Sequence, residues 1–256
     1  MLLTSDVGNT HIVLGCMEGE TLTFTARIRT DRGKTRDEYA LTFHSLFALH
    51  HIDGKLLEGA VLSCVVPELT DALRGAVEAV TGHTPLVVGA GVKTGLNIKI
   101  DNPAQLGADL VVDAVAALAK YPTPLIIFDM GTADTMSVID GQGRFLGGAI
   151  MPGVRLAVDS LSSGTSQLPH IDLEVPPRVV GSNTVHCMQS GALYGHAAMV
   201  DGLIDRVEAE LGQPAAAVVA TGGHAGLILP LCRRKVILEE NLMLRGLQII
   251  WEKNKG

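Results

Sequence analysis

The chain has 256 residues, 47% hydrophobic and 18% charged, with 29 glycines and only 4% aromatic residues. That is enough Val, Ile, Leu and Ala for a packed core, and it excludes a disordered segment. Twenty basic against 27 acidic residues give a net charge of −7. The one basic run, Arg233-Arg234-Lys235, is too short to follow a phosphate backbone, which excludes nucleic acid as a partner.

In chain order, residues 2–5 form a short apolar strand running into Asp6-Val7-Gly8-Asn9-Thr10, and residues 11–17 form a second after that turn. A further turn falls at Glu18-Gly19-Glu20. Asp6 arrives too early to leave room for the apolar stretch of a secretion signal. No apolar run approaches the roughly 18 residues that span a bilayer. A cytoplasmic protein with no membrane partner is expected. Residues 59–66 read as an apolar strand stopped by Pro67, residues 69–80 have helical spacing, and residues 85–88 are strand-like. Asn102-Pro103 is a helix start, Asn capping and Pro in the first turn. The helix or helical pair that follows carries Leu106, Leu110, Val111, Ala114, Val115 and Leu118 on its apolar side.

Tyr121-Pro122-Thr123-Pro124 marks a boundary, so two domains are expected, residues 1–121 and 122–256. Beyond it, residues 125–128 form a buried strand running into Asp129-Met130-Gly131-Thr132-Ala133. A strand over 134–139, a turn at Asp140-Gly141-Gln142-Gly143 and a third strand over 144–150 follow. Residues 153–161 come next, then a loop over 162–177 and a long helix from Ser182-Asn183-Thr184 to Leu211. Residues 216–220 form an apolar strand ending in Thr221-Gly222-Gly223, and a final helix spans 239–252. Cys16, Cys64, Cys187 and Cys232 are far apart and read as free thiols.

Both halves therefore read strand, Asp-x-Gly, strand, turn, with the two aspartates nearly half the chain apart. This is the pattern of a duplicated α/β unit in which each half opens with an antiparallel hairpin. A strand that ends in Asp-x-Gly and turns back presents backbone N–H groups at the bend, and glycine lets a phosphate approach without a Cβ in the way. The acid stands where a hydrated Mg²⁺ bridges to phosphate oxygens. One such turn is as well explained by an ordinary tight hairpin. Two in matching places, with a strand ending in Thr221-Gly222-Gly223, favour a cleft that holds a nucleotide.

Other features carry less. His50-His51 and His186 lack ligand-spaced partners and read as surface or satisfied histidines, and Arg233–Lys235 reads as a solvated surface. Gly191-Ala192-x-x-Gly195-x-Ala197-Ala198 is a small-residue stripe on the long helix against which something packs closely, another helix or a second subunit.

The three turns resemble those of the acetate-kinase, sugar-kinase, Hsp70 and actin superfamily, and the local wording resembles the type III pantothenate kinases. The matching words include Asp6-Val7-Gly8-Asn9-Thr10, Arg29-Thr30-Asp31, Ser63-Cys64-Val65-Val66-Pro67, Lys93-Thr94-Gly95-Leu96 and Asp101-Asn102-Pro103. Gly107-Ala108-Asp109, Asp129-x-Gly131-Thr132-Ala133, Gly147-Gly148-Ala149-Ile150, Pro152-Gly153, Asn183-Thr184 and Thr221-Gly222-Gly223 continue them in order. The resemblance implies an α/β fold of duplicated actin-like (ribonuclease H-like) lobes, with mixed sheets flanked by helices.

It also implies a kinase that uses ATP and Mg²⁺ to phosphorylate pantothenate, the first step of coenzyme A biosynthesis. Asp6, Val7, Gly8, Asn9, Thr10, His11, Ile12 and Val13 would form the first phosphate loop, and Thr132 would contact the nucleotide. Asp6 would hold Mg²⁺ through water, and Asp129 would hold a monovalent cation, K⁺ or NH₄⁺. Gly107, Ala108, Asp109 and Leu110 would line the pantothenate pocket, Thr184 would contact the substrate, and Asp109 would be the catalytic base. A carboxylate is a weak base towards an alcohol and accepts the proton late, for about 10²–10⁴ in rate. Members of the family are homodimers.

Three residues depart from the family pattern. Leu110 stands where an Arg usually follows Gly-Ala-Asp, and Asp134 and Ser137 stand in place of Thr and Asp in the second loop. A hydrogen bond to a charged group is worth about 1.5–3 kcal/mol, so losing the Arg would weaken carboxylate binding about 10–150-fold unless another cation, such as Arg155, replaced it. Asp134 would repel phosphates in a low-dielectric cleft unless it ligated metal or pointed away. Three readings follow: a pantothenate kinase, a same-fold kinase of a neutral alcohol, or a non-catalytic ligand-binding paralogue.

Overall fold

The computed structural model describes residues 1–255. The chain runs β1 (Leu2–Val7), β2 (His11–Glu18), β3 (Thr21–Arg29), α1 (Arg36–Leu49), β4 (Gly59–Cys64), α2 (Thr70–Thr81), β5 (Leu86–Val87) and β6 (Asn97–Ile98). It continues with α3 (Ala108–Lys120), β7 (Leu125–Met130), β8 (Ala133–Ile139), β9 (Arg144–Pro152), α4 (Val154–Gly164) and α5 (Thr184–Leu211). Last come β10 (Ala217–Thr221), α6 (Ala225–Ile228), β11 (Ile237–Leu238) and α7 (Leu242–Asn254). Among the described residues no helix is long and apolar enough to cross a membrane.

Two sheets carry the duplication. The first has the order β3-β2-β1-β4-β5; the second, read from the other side, has β9-β8-β7-β10-β11 with β6 added beyond β9. In each, an antiparallel three-strand meander is followed by a parallel crossover, β1 beside β4 and β7 beside β10. The registers match as well: Asp6 pairs with Val13, which pairs with Arg27, and Asp129 pairs with Thr135, which pairs with Ile150.

One face of each sheet packs its main apolar cluster against helices, with period-two alternation deciding which residues join it, and α7 covers part of the first sheet's other face. In the first unit Leu3, Val7, Ile12 and Leu14 meet Tyr39 and Phe43 of α1 and Leu73 of α2. In the second, Ile126, Phe128, Met130, Met136 and Val138 meet Leu193, Val200 and Ile204 of α5. Helix ends follow sequence chemistry. Thr35 and Glu38 form a reciprocal capping box at α1, and Asn183 caps α5 through His186 N–H.

The compact units differ in three places from the division at residue 121. The first unit takes Met1–Leu96, Asn102–Ala119 and the chain from Asn241 onward; the second takes Asn97–Asp101 and Lys120–Glu240. The C-terminal helix α7 thus returns to the first sheet, because three glycines let it approach. A side chain at Gly246 would lie 2.2 Å from the Val112 carbonyl of α3, one at Gly59 would meet the Trp251 ring at 2.9 Å, and one at Gly15 would meet Leu244 at 2.7 Å. Of the two forms expected after Asn102 the structure has the pair: a 3-10 turn, Pro103–Gln105, capped by the Asn102 side chain accepting from Ala104 N–H, and then a helix. The main helix begins at Ala108.

Candidate functional site

In the first unit the turn after β1 is closed by Gly8 N–H donating to the His11 carbonyl at 3.0 Å. The chain beyond β3 fastens it: Thr30 Oγ1 donates to the Gly8 carbonyl at 2.7 Å, and Thr30 N–H to the Thr10 carbonyl at 2.9 Å. Arg32 donates to Asn9 Oδ1 at 3.0 Å and pairs with Glu68 at 3.3 Å. Asn9, Thr10 and His11 are exposed, whereas Asp6, Gly8 and Val13 are half-buried. Val7 and Ile12, expected among the phosphate-binding residues, are buried side chains of the core. Strand alternation sends them to the helix side, so at the turn they offer backbone alone.

Sequence reasoning passed over β3, and with it two cations. Arg27 and Arg29 are exposed and sit in register with Val13 and His11, on the sheet face that carries Asp6. Burial, then the charges of Arg27 and Arg29, hold the His11 imidazole below its ordinary range. This edge therefore carries positive potential beside the turn. The signal was available: residues 21–29 alternate Thr, Thr, Thr, Arg, Arg on one face, the period of a strand.

Asp109, expected as the catalytic base, lies in the first turn of α3, where a carboxylate suits the helix N-terminus. One of its oxygens accepts from Leu110 N–H at 2.9 Å. Gly107 leaves it room, since a side chain there would meet Asp109 Oδ1 at 2.4 Å. Ala108 and Leu110 are half-buried.

In the second unit the turn between β7 and β8 presents an exposed Thr132. It is backed by Gly153, whose N–H donates to the Thr132 carbonyl at 3.1 Å and whose missing side chain would lie 2.3 Å from the Gly131 carbonyl. Gly222, with φ +96°, lies so close to β7 that a Cβ would meet the Met130 carbonyl at 2.4 Å and Asp129 Oδ1 at 2.5 Å. His224 N–H donates to the Met130 carbonyl at 3.1 Å. The structure thus gathers Asp129, the Thr132 turn and Thr221-Gly222-Gly223 at one end of the second sheet. Thr184 is exposed at the start of α5.

Asp134 is turned into the interior of the second unit. It lies in a cross-strand row between Met130 and Met151, on the helix-covered face, and is 2% exposed. Its Oδ2 is 3.8 Å from Nε2 of His196 on α5. Burial, then the charge of Asp129, push its carboxyl up to about 7. Ser137, equally buried, alternates to the opposite face from Asp134's neighbour Met136.

Arg155, the suggested replacement cation, donates from Nη1 to the Ile171 carbonyl at 3.0 Å and ties down the segment after α4. Nor is the basic run free. Arg234 bonds Asp205 and, at 2.6 Å, Glu208, while Asp201 accepts from the N–H groups of Arg233 and Arg234. His50 packs edge-on against Phe24 at 4.8 Å, and His186 Nδ1 lies 3.1 Å from Asn183 Nδ2. On the small-residue stripe of α5, Ala192 and Ala197 are buried, while a side chain at Gly191 or Gly195 would meet nothing within 4 Å.

The profile of the type III pantothenate kinase family matches residues 2–206. A type III pantothenate kinase from Moorella thermoacetica is 46% identical over 254 residues, 99% of this chain and all of the relative. One from Exiguobacterium sp. is 45% identical over 255 residues, with both chains fully covered. Among solved structures, the ROK hexokinase from Thermus thermophilus superposes with a TM-score of 0.52 at 14% identity, covering 100% of this chain and 99% of that one. The ethanolamine utilization protein EutJ from Carboxydothermus hydrogenoformans gives 0.55 at 16%, covering 97% and 89%. At such identities the likeness is one of fold: duplicated actin-like lobes with mixed sheets flanked by helices.

Proposed function

The chain belongs to the type III pantothenate kinase family, and from that premise we propose that it transfers the terminal phosphoryl group of ATP to the primary hydroxyl of pantothenate, the first step of coenzyme A synthesis. One observation carries this reading: Asp-x-Gly turns stand at equivalent registers of two sheets in a chain 46% identical to a pantothenate kinase along its whole length.

In this reading the backbone of residues 6–13 cradles the ATP phosphates and the Arg27–Arg29 edge draws them in. Thr132 contacts the nucleotide, and the turn containing Gly222 lies behind the nucleoside. Gly107, Ala108, Asp109 and Leu110 line the acceptor pocket, with Thr184 contacting the acceptor. Asp109 takes the hydroxyl proton as the new O–P bond forms and the bond to ADP breaks.

The residues present fit two cations, because Asp6 and Asp129 each place a hard carboxylate donor beside a glycine turn. Asp6 would hold Mg²⁺ through water, and Asp129, over which Gly222 hangs no side chain, would hold K⁺ or NH₄⁺. The divalent ion supplies charge neutralisation across the phosphates when bound.

A homodimer is supported by the apolar side chains the second unit leaves in the open. Ile150 is 77% exposed and Val180 82%, with Val179, Leu156 and Val185 also open.

The test is purified protein with Mg·ATP, K⁺ and pantothenate, or pantetheine in parallel, following ADP and phosphorylated product. Product from pantothenate is expected; product from pantetheine alone overturns the acceptor assignment. Asp109→Asn should lower turnover about 10²–10⁴-fold with nucleotide binding retained, and an unchanged rate removes Asp109 as base. Exchange of K⁺ for Na⁺ should slow turnover, and an indifferent rate removes the monovalent role of Asp129.

A further inference from the structure

We propose that Asp134 and His196 are a positioning pair that fixes the Thr132-bearing turn to helix α5; this rests on the reading of that turn as a nucleotide contact. The His196 ring reaches three elements of the second unit. Nδ1 lies 2.5 Å from the Ala192 carbonyl one turn earlier on α5, and Nε2 lies 3.2 Å from the Pro152 carbonyl at the end of β9. Nε2 is also 3.8 Å from Asp134 Oδ2 on β8. Both carbonyl oxygens are acceptors, so a ring N–H satisfies one of them in either tautomer, and the acid of Asp134 lies beside the same ring.

These anchor points bracket the turn. Asp134 comes two residues after Thr132, and Pro152 is the cross-strand partner of Ala133. The next residue, Gly153, donates to the Thr132 carbonyl. A path of direct bonds and pairings therefore runs from Thr132 through the ends of β8 and β9 to one side chain of α5. That helix carries Thr184 twelve residues earlier, about 18 Å along a rigid rod.

Packing alone does not account for the pair. Asp134 is 2% exposed, Met130 and Met151 flank it, and its Oδ1 has no hydrogen-bond partner. An isolated buried carboxylate is costly, and an apolar residue of similar volume serves a core at least as well. The first unit does this, with Ile12 at the equivalent register. What the pair adds is a polar link to Pro152 and hence a fixed position for the turn.

The experiment compares wild type, His196→Phe and the double variant Asp134→Val/His196→Phe by thermal melting and by calorimetric titration with Mg·ATP, without pantothenate. His196→Phe, which leaves the buried acid without its imidazole neighbour, should melt at least 5 °C lower and bind ATP at least tenfold more weakly. The double variant should regain the melting temperature, because both buried polar groups are gone, yet keep weakened ATP binding and a raised KM for ATP with kcat within threefold. If the double variant binds ATP within twofold of wild type, the pair is a packing feature and the proposal falls. Should His196→Phe fail to fold, the double variant decides the matter alone. Wild type that binds ATP but does not phosphorylate pantothenate overturns the acceptor reading and leaves the pair supported if the variants behave as stated. Wild type that binds no nucleotide overturns both.

Discussion

The two opening hairpins share strand order and register but invert their chemistry at equivalent positions. Beside Asp6, the first hairpin turns Ile12 into the core and holds Arg27 in the open. Beside Asp129, the second buries Asp134 and exposes Ile150. Backbone hydrogen bonding fixes which residues are neighbours, and the side chains then specialise. One hairpin carries exposed cations beside its turn, while the other carries an exposed Ile150 and a buried acid. Their turns are also held differently. Side chains from residues 30–32 tie the first, whereas backbone pressed against Gly153 and Gly222 shapes the second.

Glycine substitutions should separate the turns most widely. Gly222→Ala combines a positive φ with a Cβ placed 2.4 Å from the Met130 carbonyl and should cost about 2–4 kcal/mol in urea unfolding. Gly8→Ala, whose Cβ meets the His11 carbonyl at 3.2 Å, should cost about 1 kcal/mol or less. Equal losses would show that the turns are equally constrained.

The buried acid predicts a pH dependence. With the Asp134 carboxyl pushed up to about 7, the folded chain keeps a proton that the unfolded chain gives up near pH 4. Stability should therefore fall as pH rises between about 4 and 7 and level off above. Asp134→Asn should flatten that slope and stabilise the protein by about 1–3 kcal/mol at pH 8. Unfolding curves at several pH values decide; an unchanged slope means that Asp134 is not its source.

The cationic edge should be visible in affinity. Arg27→Ile with Arg29→Ile should weaken ATP binding about tenfold at low salt and less at high salt, and calorimetry at two ionic strengths would detect it. A salt-independent loss would point to packing instead. Smallest is the apolar counterpart: Ile150→Ala should weaken self-association about fivefold. Light scattering across a dilution series measures this, and a wild-type chain that stays monomeric at every concentration removes the dimer.

Much of the site could be read from sequence because local chemistry sets it. The Asp-x-Gly turns interrupt apolar strands, and the end of the long helix at Leu211 was marked by Gly212, which adopts φ +68°. What escaped was of two kinds. The third strand of the first sheet has few apolar residues and so little hydrophobic signal, and Arg27 and Arg29 went with it. His196 sits within a small-residue helical stripe whose periodicity says nothing of what lies 44 residues earlier at Pro152.

By itself the sequence determined the duplication, the strand-turn-strand order and the family, because periodicity and turn residues act over a few neighbours. Only the tertiary structure decided that α7 belongs to the first unit, through glycines that allow backbones to touch. It also decided that Asp134 faces a core and an imidazole rather than solvent. Both depend on pairings between distant segments, which close approach and burial set and no local pattern encodes.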